Sequence, residues 1–424
     1  MFRYTAASMT AAVLTVGTEL TRGEITNTNA SFIAEALTSR GHDVTELSTV
    51  DDDRCRIVQA LRRLGEVHSV IVCTGGLGPT TDDLTAESVA EALGVALERD
   101  FDSVEAIRAR LARAGRELSD SNARQADLPA CARVLPNAHG TAPGFEVRVG
   151  RAQAFFLPGV PSEMKAMFAE RVAPALPPPA GPCQTQIRLR LFGMPESAVN
   201  DSLAGIEAAH GVELGYRAHF PELEVKVRAR ADGEREAQAR ARAAANEVIA
   251  RLGREIVYGE GEQELSHVVG QLLLDRGLLL CVAESCTGGL VGQLITDAPG
   301  SSAYFVGGAI TYSNQAKEQQ LGVRPELLAT HGAVSAEVAR AMAHGARERF
   351  SADVAVALTG IAGPGGGSPE KPVGLVHIAV ATRAGCADAK MVQPGSRAQV
   401  RRRAAFAALA LVRSVLLETE GARK

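Results

Sequence analysis

Apolar segments that predict strands alternate with amphipathic segments that predict helices over residues 11–94. We predict strands at Ala11–Val16, Val44–Ser48 and Ser69–Cys73, and helices at Asn29–Arg40, Arg54–Leu64 and Asp82–Leu93. Because parallel strands need long crossover connections, this alternation predicts a parallel sheet covered by helices on both faces. Ligands of such sheets bind beyond the carboxyl ends of the strands. Those ends carry Gly17-Thr18-Glu19 and the segment 74–83, T-G-G-L-G-P-T-T-D-D.

A second region of the same kind begins near Glu262. Its predicted strands are Leu278–Val282, Tyr304–Tyr312, Asp353–Leu358 and Val373–Thr382. Its predicted helices are Leu265–Arg276, Leu290–Thr296, Asn314–Leu321, Ala336–Arg349 and Arg397–Leu417. The chain is therefore expected to contain two α/β regions.

The proline-rich run 174–182, P-A-L-P-P-P-A-G-P, predicts an irregular linker and a domain boundary between these regions. The segments that follow predict a small α+β unit with strands Gln184–Phe192 and Glu222–Ala231 and helices Glu196–Ala208 and Glu234–Leu252. The arginines of the last helix are interleaved with Glu and Ala, which favours a solvated helix face over a nucleic-acid surface. We therefore predict three domains, at 1–176, 183–260 and 261–424.

Composition argues against several classes of protein. The 424-residue chain has a net charge of −4, so we expect no general binding of nucleic acid. Its seven cysteines include no C-x-x-C pair, which indicates neither a disulfide framework nor a zinc ribbon and favours a cytoplasmic location. No apolar run approaches the roughly 20 residues of a membrane span, so we expect no membrane partner. Met9 is a second possible start, with residues 1–8 as a disordered lead.

The turn at 283–289, A-E-S-C-T-G-G, lies between a predicted strand and a predicted helix. Such a Gly-rich turn leaves backbone N–H groups unpaired where the helix dipole favours negative charge. Ser285 and Cys286 place a hydroxyl and a thiol beside these donors, which is the minimum equipment for acyl transfer. The alternative, that the serine only caps the helix, stays open at this point.

Three further polar clusters lie at strand or loop ends in the same region. In the segment 311–317, T-Y-S-N-Q-A-K, Lys317 would act as a base if burial lowers its pKa, or would lie solvated on a helix surface. The Gly-rich segment 358–367 would bring N–H groups to a phosphate or an oxyanion, or form a flexible turn. Arg397 would pair with a phosphate or carboxylate, or remain exposed.

Taken together and in order, these blocks resemble the C-terminal domain of the CinA family (competence/damage-inducible protein A), the nicotinamide mononucleotide amidohydrolases. The matching blocks are A-E-S-C-T-G-G at 283–289, G-S-S-A-Y-F at 300–305, T-Y-S-N-Q-A-K at 311–317, H-G-A-V-S at 331–335, T-G-I-A-G-P-G-G-G at 359–367 and K-P-V-G at 371–374. The resemblance implies hydrolysis of the carboxamide of nicotinamide mononucleotide to nicotinic acid mononucleotide and ammonia, without a cofactor.

The same resemblance implies roles for individual residues. Ser285 would be the nucleophile, Lys317 its proton-transferring partner, and Tyr312 a support for both. Thr359 and nearby N–H groups would hold the oxyanion or the substrate, and Arg397 would position the nucleotide or the reacting amide. Further substrate contacts would come from Glu284, Gly288, Gly360 and Gly363.

Two features qualify this assignment. The family's Gly-Asp-Arg block is Gly395-Ser396-Arg397 here, so an orienting carboxylate is missing beside the arginine. Cys286 is the competing nucleophile, because a thiol is intrinsically more nucleophilic than a hydroxyl. Ser285 is preferred on the resemblance alone.

Residues 9–172 resemble the N-terminal domain of the same family, which is related to molybdopterin-binding domains. The matching blocks are G-T-E-L at 17–20, G-E-I-T-N-T-N at 23–29, the segment 74–83, G-T-A-P-G at 140–144 and P-G-V-P-S-E-M at 158–164. The resemblance implies a metal-dependent ADP-ribose pyrophosphatase, with ligand contacts from Gly75, Gly76, Gly78 and Asn29. Glycines at such positions permit close approach of the backbone to a phosphate.

Four carboxylates are candidates for holding a divalent metal ion of unknown identity in this domain. Asp82 and Asp83, with Asp52 or Glu19, would supply hard oxygen ligands beside a bound diphosphate. Alternatively, Asp82 caps a helix and Asp83 adds charge to its first turn. A pterin- or nucleotide-binding module without catalysis is the second hypothesis for this domain, and a scaffold connected with competence or DNA damage is the third for the whole chain.

The middle unit resembles the family's KH-like connecting domain. It lacks the Gly-x-x-Gly loop with which KH domains clamp RNA, so we interpret it as a spacer or as the dimerisation element of a homodimer. The predicted fold class is therefore α/β, with two α/β domains, molybdopterin-binding-like and CinA amidohydrolase, joined by a small α+β KH-like domain. The expected partners are the small-molecule nucleotides nicotinamide mononucleotide and ADP-ribose.

Overall fold

The computed structural model describes residues 10–178 and 182–421, so the alternative start at Met9 and the lead 1–8 lie outside the described residues. The chain forms two compact units. One comprises the residues up to Thr185 with Arg230–Ala237, and the other comprises Gln186–Ala229 and the chain from Gln238 onward. Among the described residues, none of the helices combines the length and the apolar content that crossing a membrane requires.

A six-stranded sheet forms the centre of the N-terminal region. The strands of this region are β1 (Thr10–Val16), β2 (Asp43–Val50), β3 (Val70–Thr74), β4 (Leu97–Arg99), β5 (Asp127–Pro129), β6 (Arg133–Leu135), β7 (Gly144–Val149) and β8 (Ala152–Leu157). The sheet has the order β2-β1-β3-β8-β7-β6, while β4 and β5 form a separate pair. β1, β2, β3 and β8 are parallel, but β7 runs antiparallel to both neighbours. The parallel sheet predicted from residues 11–94 is therefore confirmed for β1, β2 and β3. No strands were predicted at 133–157, where a two-residue hairpin loop between β7 and β8 joins antiparallel strands.

Helices cover both faces of this sheet, as predicted. They are α1 (Thr18–Thr21), α2 (Thr28–Thr38), α3 (Arg54–Val67), α4 (Thr85–Leu93), α5 (Phe101–Arg113), α6 (Asp120–Arg124) and α7 (Pro161–Met167). Ile57 and Leu61 of α3 pack on one face with Leu14, and Ile33 of α2 packs on the other with Val13. This packing leaves the carboxyl ends of the parallel strands uncovered for the loops that follow them.

Two boundaries in this region differ from the prediction. The helix predicted to begin at Asp82 begins at Thr85, so Asp82 and Asp83 lie in the preceding loop. The run 174–182 is not wholly irregular, because a π-helical turn (Phe168–Val172) and a 3-10 turn (Ala173–Ala175) extend α7 into it. Residues 179–181 of that run lie outside the described part of the chain.

The middle region is a four-stranded sheet packed against helices. Its elements are β9 (Cys183–Leu191), α8 (Glu196–Ser202), α9 (Ile206–His210), β10 (Val212–His219), β11 (Glu222–Ala231), α10 (Glu234–Leu252) and β12 (Val257–Glu260), with sheet order β10-β11-β9-β12. The single helix predicted over 196–208 is wrong, because Gly205 adopts a left-handed conformation with φ 87° and separates two short helices. Ala241 and Val248 of α10 are buried and its Arg242 is exposed, which confirms the solvated arginine face.

The C-terminal region has a five-stranded sheet. Its strands are β13 (Leu280–Glu284), β14 (Phe305–Ile310), β15 (Val354–Gly360), β16 (Leu375–Ala381) and β17 (Cys386–Val392), in the order β14-β13-β15-β16-β17. Its helices are α11 (Leu265–Leu274), α12 (Leu290–Thr296), α13 (Asn314–Leu321), α14 (Pro325–His331), α15 (Ala336–Arg349) and α16 (Arg397–Gly421). β13 is parallel to β14 and β15. Glu284 at the end of β13 is paired with Ile310 at the end of β14 and with Leu358 near the end of β15. The loops that carry the predicted catalytic residues therefore meet at one edge of this sheet. The division of the chain into domains at 1–176, 183–260 and 261–424 stays a prediction.

Candidate active sites

Ser285 and Lys317 meet at the carboxyl edge of the C-terminal sheet. Ser285 opens the turn after β13, and its N–H donates to the carbonyl oxygen of Leu358 on β15 at 3.1 Å. Lys317 lies on α13, and its Nζ donates to Ser285 Oγ at 3.2 Å and to the carbonyl oxygen of Thr311 at 2.8 Å. The serine is 8% exposed and the lysine 1% exposed. A hydroxyl and an amine separated by 32 positions in the chain are thus within hydrogen-bonding distance.

The surroundings of Lys317 favour its neutral form. The alternative prediction, that Lys317 is solvated on a helix surface, is wrong, because its side chain is buried. Burial lowers the pKa of the amine, since removal from water penalises the ammonium. A lysine with a lowered pKa, in contact with a hydroxyl, is able to remove the hydroxyl proton.

Glu284 occupies a different place from the one that the resemblance implied. Its side chain is 0% exposed, and its carboxylate accepts hydrogen bonds from the N–H groups of Gly289 at 2.9 Å, Val291 at 3.2 Å and Gly292 at 2.9 Å. These donors would otherwise be unpaired at the start of α12. Glu284 therefore caps this helix from inside the protein, and a substrate contact is not available to its carboxylate.

Two backbone N–H groups of the turn donate to no oxygen of the described residues. The N–H of Gly288 donates to the carbonyl oxygen of Ser285 at 3.1 Å and that of Gly289 to Glu284, whereas that of Thr287 has no such acceptor and that of Cys286 contacts only its own thiol. Gly288 has φ 59° and so shapes the turn by a backbone conformation that other residues rarely adopt. Two adjacent N–H groups beside a serine, neither of them bonded to another residue, are the arrangement that stabilises an oxyanion.

Cys286 is a poor competitor as a nucleophile. Its side chain is buried, and burial raises the pKa of its thiol to about 11. The reactive form of cysteine is the thiolate, which this pKa disfavours at neutral pH. The environment of the turn therefore adds a physical reason to prefer Ser285, which the sequence alone did not supply.

Tyr312 and Arg397 form a separate pair on the surface. Arg397 donates to the phenol oxygen of Tyr312 at 2.8 Å and to the carbonyl oxygen of Gly363 at 2.9 Å. Tyr312 is 60% exposed, and its hydrogen bond goes to the arginine rather than to the serine and lysine that it was expected to support. Ser396, which replaces the family's aspartate, lies at the start of α16, where its N–H donates to the side chain of Gln399 at 2.8 Å.

Thr359, Gly360 and Gly363 have structural explanations. The Thr359 hydroxyl donates to the carbonyl oxygen of Ala333 at 2.7 Å, so its one proton is not free for an oxyanion. A Cβ at position 360 would lie 2.7 Å from the carbonyl oxygen of Leu375, and one at position 363 would lie 2.5 Å from Val373. Glycine is therefore required at both positions by packing, whether or not a ligand approaches.

Three residues around the serine had no role in the sequence analysis. The carbonyl oxygen of Thr311 holds Lys317, and Arg401 donates to the carbonyl oxygen of Thr287 at 3.2 Å through Nε and 2.6 Å through Nη2. Thr287 itself is 0% exposed. Thr311 and Thr287 stand inside the matching blocks, and Arg401 lies one helical turn beyond Arg397. Proximity to those blocks was the only signal that pointed to them.

The residues proposed for the N-terminal site line two adjoining cavities. Glu19, Asp52, Asp82 and Asp83 line a cavity of about 380 Å³. The same cavity is lined by Gly75, Gly76 and Gly78. Asn29 lines the neighbouring cavity of about 110 Å³, where its amide nitrogen donates to the carbonyl oxygen of Gly159 at 2.8 Å. The structure thus brings together all the residues predicted for this site.

The acidic side chains around the larger of these cavities are held in place by short contacts. Asp52 accepts from the N–H of Thr18 at 2.8 Å, and Asp83 accepts from the N–H of Thr80 at 2.9 Å. A Cβ at Gly78 would lie 2.5 Å from the Asp83 carboxylate, so glycine is needed there. Because α4 begins at Thr85, the helix-cap alternative is wrong for Asp82 and Asp83.

The donor chemistry of this cavity suits a small divalent cation. Within residues 10–178 and 182–421, no three His, Cys, Asp or Glu side chains converge closely enough to hold a metal ion by themselves. Mg²⁺ is usually held by one or two carboxylates together with water and substrate phosphates, so a complete protein cage is not required. Asp82, Asp83, Asp52 and Glu19 supply carboxylates of the right chemistry around one cavity, and a metal there would take its remaining ligands from water and a diphosphate.

Comparisons with protein-family models match three stretches of the chain. They are the CinA C-terminal domain at 262–416, the family described as "Probable molybdopterin binding domain" at 12–178, and the damage-inducible protein CinA KH domain at 186–259.

Whole-length relatives carry the same name. A CinA-like protein of Citrifermentans bemidjiense is 44% identical over 410 residues, which cover 96% of this chain and 98% of the relative. A CinA-like protein of Geobacter sulfurreducens is 45% identical over 412 residues, which cover 96% of this chain and 100% of the relative. Among solved structures, the competence/damage inducible protein CihA from Agrobacterium tumefaciens is 45% identical, with 35% of this chain and 92% of that chain covered and a TM-score of 0.35.

Proposed function

The chain belongs to the CinA family, and from this premise we propose that its C-terminal region hydrolyses the carboxamide of nicotinamide mononucleotide to nicotinic acid mononucleotide and ammonia. The observation that carries the proposal is the contact of 3.2 Å between the buried Lys317 Nζ and Ser285 Oγ. Amide hydrolysis needs a nucleophile, a base and oxyanion donors, and one turn and one helix supply all three.

The reaction follows from these positions. The neutral Lys317 amine accepts the proton of Ser285 as Oγ attacks the carboxamide carbon, and the developing oxyanion accepts hydrogen bonds from the N–H groups of Cys286 and Thr287. The lysine ammonium then gives its proton to the departing nitrogen, which leaves as ammonia. Water, deprotonated by the same amine, attacks the resulting serine ester, and the lysine ammonium returns that proton to Ser285 Oγ as the carboxylic acid is released. A Ser–Lys pair does this work without histidine or aspartate.

Arg397 is suited to bind the phosphate of the substrate. Its guanidinium is exposed and is fixed by Tyr312 and the carbonyl oxygen of Gly363. A planar guanidinium held in this way pairs with phosphate in a defined orientation. The base of the nucleotide would then reach the serine from the same edge of the sheet.

The test is to incubate the purified protein with nicotinamide mononucleotide and to identify the products. We expect nicotinic acid mononucleotide and ammonia in equal amounts, without added metal. Free nicotinamide as the product would mean that the glycosidic bond is cleaved instead, and no turnover would contradict the proposal.

For the N-terminal region, we propose divalent-metal-dependent hydrolysis of the diphosphate of ADP-ribose. The carboxylates of Asp82, Asp83, Asp52 and Glu19 around a glycine-lined cavity support it. When bound, a metal ion would neutralise charge on the diphosphate and act as a Lewis acid. Hydrolysis of ADP-ribose, measured with and without divalent ions, tests this activity.

The second hypothesis for this region, binding without catalysis, is favoured by one observation. Among the described residues, no three potential ligand side chains converge on a metal position. If ADP-ribose binds but no divalent ion supports its hydrolysis, the region is a binding module. A homodimer in the cytoplasm remains our expectation for the whole chain, and analytical ultracentrifugation measures the oligomeric state directly.

A further inference from the structure

Arg401 holds the middle of the turn that carries Ser285. Its guanidinium donates two hydrogen bonds to the carbonyl oxygen of Thr287, at 3.2 Å from Nε and 2.6 Å from Nη2. Within the described residues, the only other donor to this oxygen is the N–H of Leu290, at the longer distance of 3.4 Å. The Thr287 hydroxyl is buried and has no hydrogen-bond partner in the same part of the chain, so it adds no polar contact of its own. Arg401 is therefore the main anchor of this carbonyl group.

This contact helps to fix one peptide unit at both ends. The peptide between Thr287 and Gly288 is planar, so its oxygen and its N–H move together. Arg401 holds the oxygen, and the N–H donates to the carbonyl oxygen of Ser285 at 3.1 Å. With this peptide fixed, the backbone rotations that would turn the N–H groups of Cys286 and Thr287 away from the serine are restricted. These are the two N–H groups that donate to no other residue.

The positive charge of Arg401 also reaches the turn. Arg401 is half-buried on α16, one helical turn beyond Arg397, so the two arginines lie on the same face of this helix. Burial raises the pKa of the Cys286 thiol, and the charges of Lys317 and Arg401 oppose that rise. Because Cys286 contributes one of the two N–H groups, the guanidinium acts near the position where negative charge develops. A fixed cation in such a position stabilises an oxyanion.

We propose that Arg401 is the positioning residue of the oxyanion site. It holds the turn so that the N–H groups of Cys286 and Thr287 point to the oxygen that becomes negative as Ser285 attacks the carboxamide. This assignment rests on the proposed amidohydrolase function. The two arginines of α16 then have different tasks, because Arg397 binds the phosphate of the substrate whereas Arg401 acts only when the oxyanion forms. An interaction that is made only in the transition state raises kcat without lowering KM.

The first test compares kcat and KM of Arg401→Met with those of the wild type on nicotinamide mononucleotide. Loss of one oxyanion donor typically costs about a hundredfold to a thousandfold in kcat, and donors that are misdirected rather than removed should cost less. We therefore expect kcat to fall by about tenfold to a hundredfold and KM to stay within about threefold. Arg401→Lys keeps the charge and one donor, so it should recover at least about threefold of this loss.

Two further variants of α16 define the specificity of this effect. Arg402→Met is the matched control, because exposed Arg402 lies over the ring of Phe406, and its kinetics should match the wild type within about twofold. Arg397→Met should instead raise KM by about tenfold or more. Nicotinamide riboside lacks the phosphate, so with this substrate Arg397→Met should have little effect, whereas Arg401→Met should lose the same factor in kcat/KM as before.

The second test does not depend on the identity of the substrate. A fluorophosphonate reacts with an activated serine when the Oγ–P bond forms and the P–F bond breaks, with fluoride leaving and the hydroxyl proton passing to Lys317. Its phosphoryl oxygen would occupy the oxyanion position. We expect Arg401→Met to slow the labelling of Ser285, followed by mass spectrometry, by about tenfold or more, and Arg402→Met to leave the rate unchanged.

The outcomes separate the role of Arg401 from the amidohydrolase activity. Slower labelling in Arg401→Met of a protein that does not hydrolyse nicotinamide mononucleotide supports the positioning role and refutes the activity. Unchanged kcat and unchanged labelling in that variant overturn the positioning role and leave the activity intact. A raised KM together with a lowered thermal midpoint and no recovery in Arg401→Lys would mean that Arg401 only stabilises the fold, which also overturns it. A wild type that neither turns over nor is labelled refutes both proposals.

Discussion

Ser285 and Cys286 are adjacent in one turn, yet their environments separate their reactivity. Lys317 contacts the serine oxygen at 3.2 Å, whereas burial raises the pKa of the Cys286 thiol to about 11. We expect Ser285→Ala to reduce ammonia release from nicotinamide mononucleotide by about a thousandfold or more, because the nucleophile is lost. Cys286→Ala should keep most of the activity. The reverse pattern in a coupled ammonia assay would assign the chemistry to the thiol.

Lys317 determines how the reaction depends on pH. Its neutral amine is the base, and burial lowers its pKa below that of an exposed lysine. The rate with nicotinamide mononucleotide should therefore rise with pH through this lowered pKa and fall as the amine is protonated at lower pH. The pH profile of kcat/KM measures this rise. A profile that rises only in the range of an ordinary lysine would contradict the proposed base.

Lys317→Met tests the proposed general base by removing its amine. We expect a loss of activity of at least about a hundredfold at every pH, since general base catalysis typically contributes that much or more. The exposed Lys390 on β17 provides the control, and Lys390→Met should behave as the wild type. Thermal unfolding establishes that both variants are folded. Substantial activity in a folded Lys317→Met variant would mean that another group accepts the proton.

At the scale of an element, the stability of helix α12 depends on the carboxylate of Glu284, the last residue of β13. Glu284 accepts three N–H groups at the start of this helix and is 0% exposed. We expect Glu284→Gln to lower the free energy of unfolding by about 1–3 kcal/mol, because an amide cannot accept all three bonds and its own donors would be unpaired. Urea denaturation measures the change. Glu326→Gln, at an exposed first-turn position of α14, is the control and should change stability by less than about 0.5 kcal/mol. Equal effects of the two substitutions would refute the buried cap.

Local periodicity identified those elements whose pattern does not depend on distant contacts. Strands β1, β3 and β13 and helices α3 and α15 lie close to their predicted bounds, since buried strands and amphipathic helices carry their signal within the segment itself. The start of α4 was missed because Asp83 bonds to Thr80 and holds the chain in a loop. Strands β7 and β8 are antiparallel because a two-residue loop joins them, and periodicity alone does not specify strand direction.

At the candidate sites, too, the contacts between residues that are far apart in the chain could not be predicted from local sequence patterns. The meeting of Ser285 and Lys317 was inferred from family resemblance, because 32 positions separate them and only the sheet brings their loops together. The places of Glu284 and Thr359 were not inferred. They depend on which backbone groups each side chain reaches once it is buried, and sequence spacing contains no such information.

At the scale of the whole molecule, each proposed site is built within one compact unit. Every residue named for ADP-ribose lies before Thr185, and every residue named for nicotinamide mononucleotide lies after Gln238. We therefore expect the two activities to be lost separately. Ser285→Ala should leave hydrolysis of ADP-ribose within about twofold of the wild type, and Asp83→Asn should reduce that hydrolysis by at least about tenfold while leaving ammonia release intact.

Parallel assays of both substrates on both variants measure this independence. Wild-type protein and Arg108→Ala, which alters an exposed residue outside both sites, serve as references. Effects of mutations at independent sites without shared partners are normally additive, so the double variant should combine the two losses without further change. Loss of ADP-ribose hydrolysis in Ser285→Ala would show instead that the state of one site controls the other, and the two reactions would then have to be described as one coupled system.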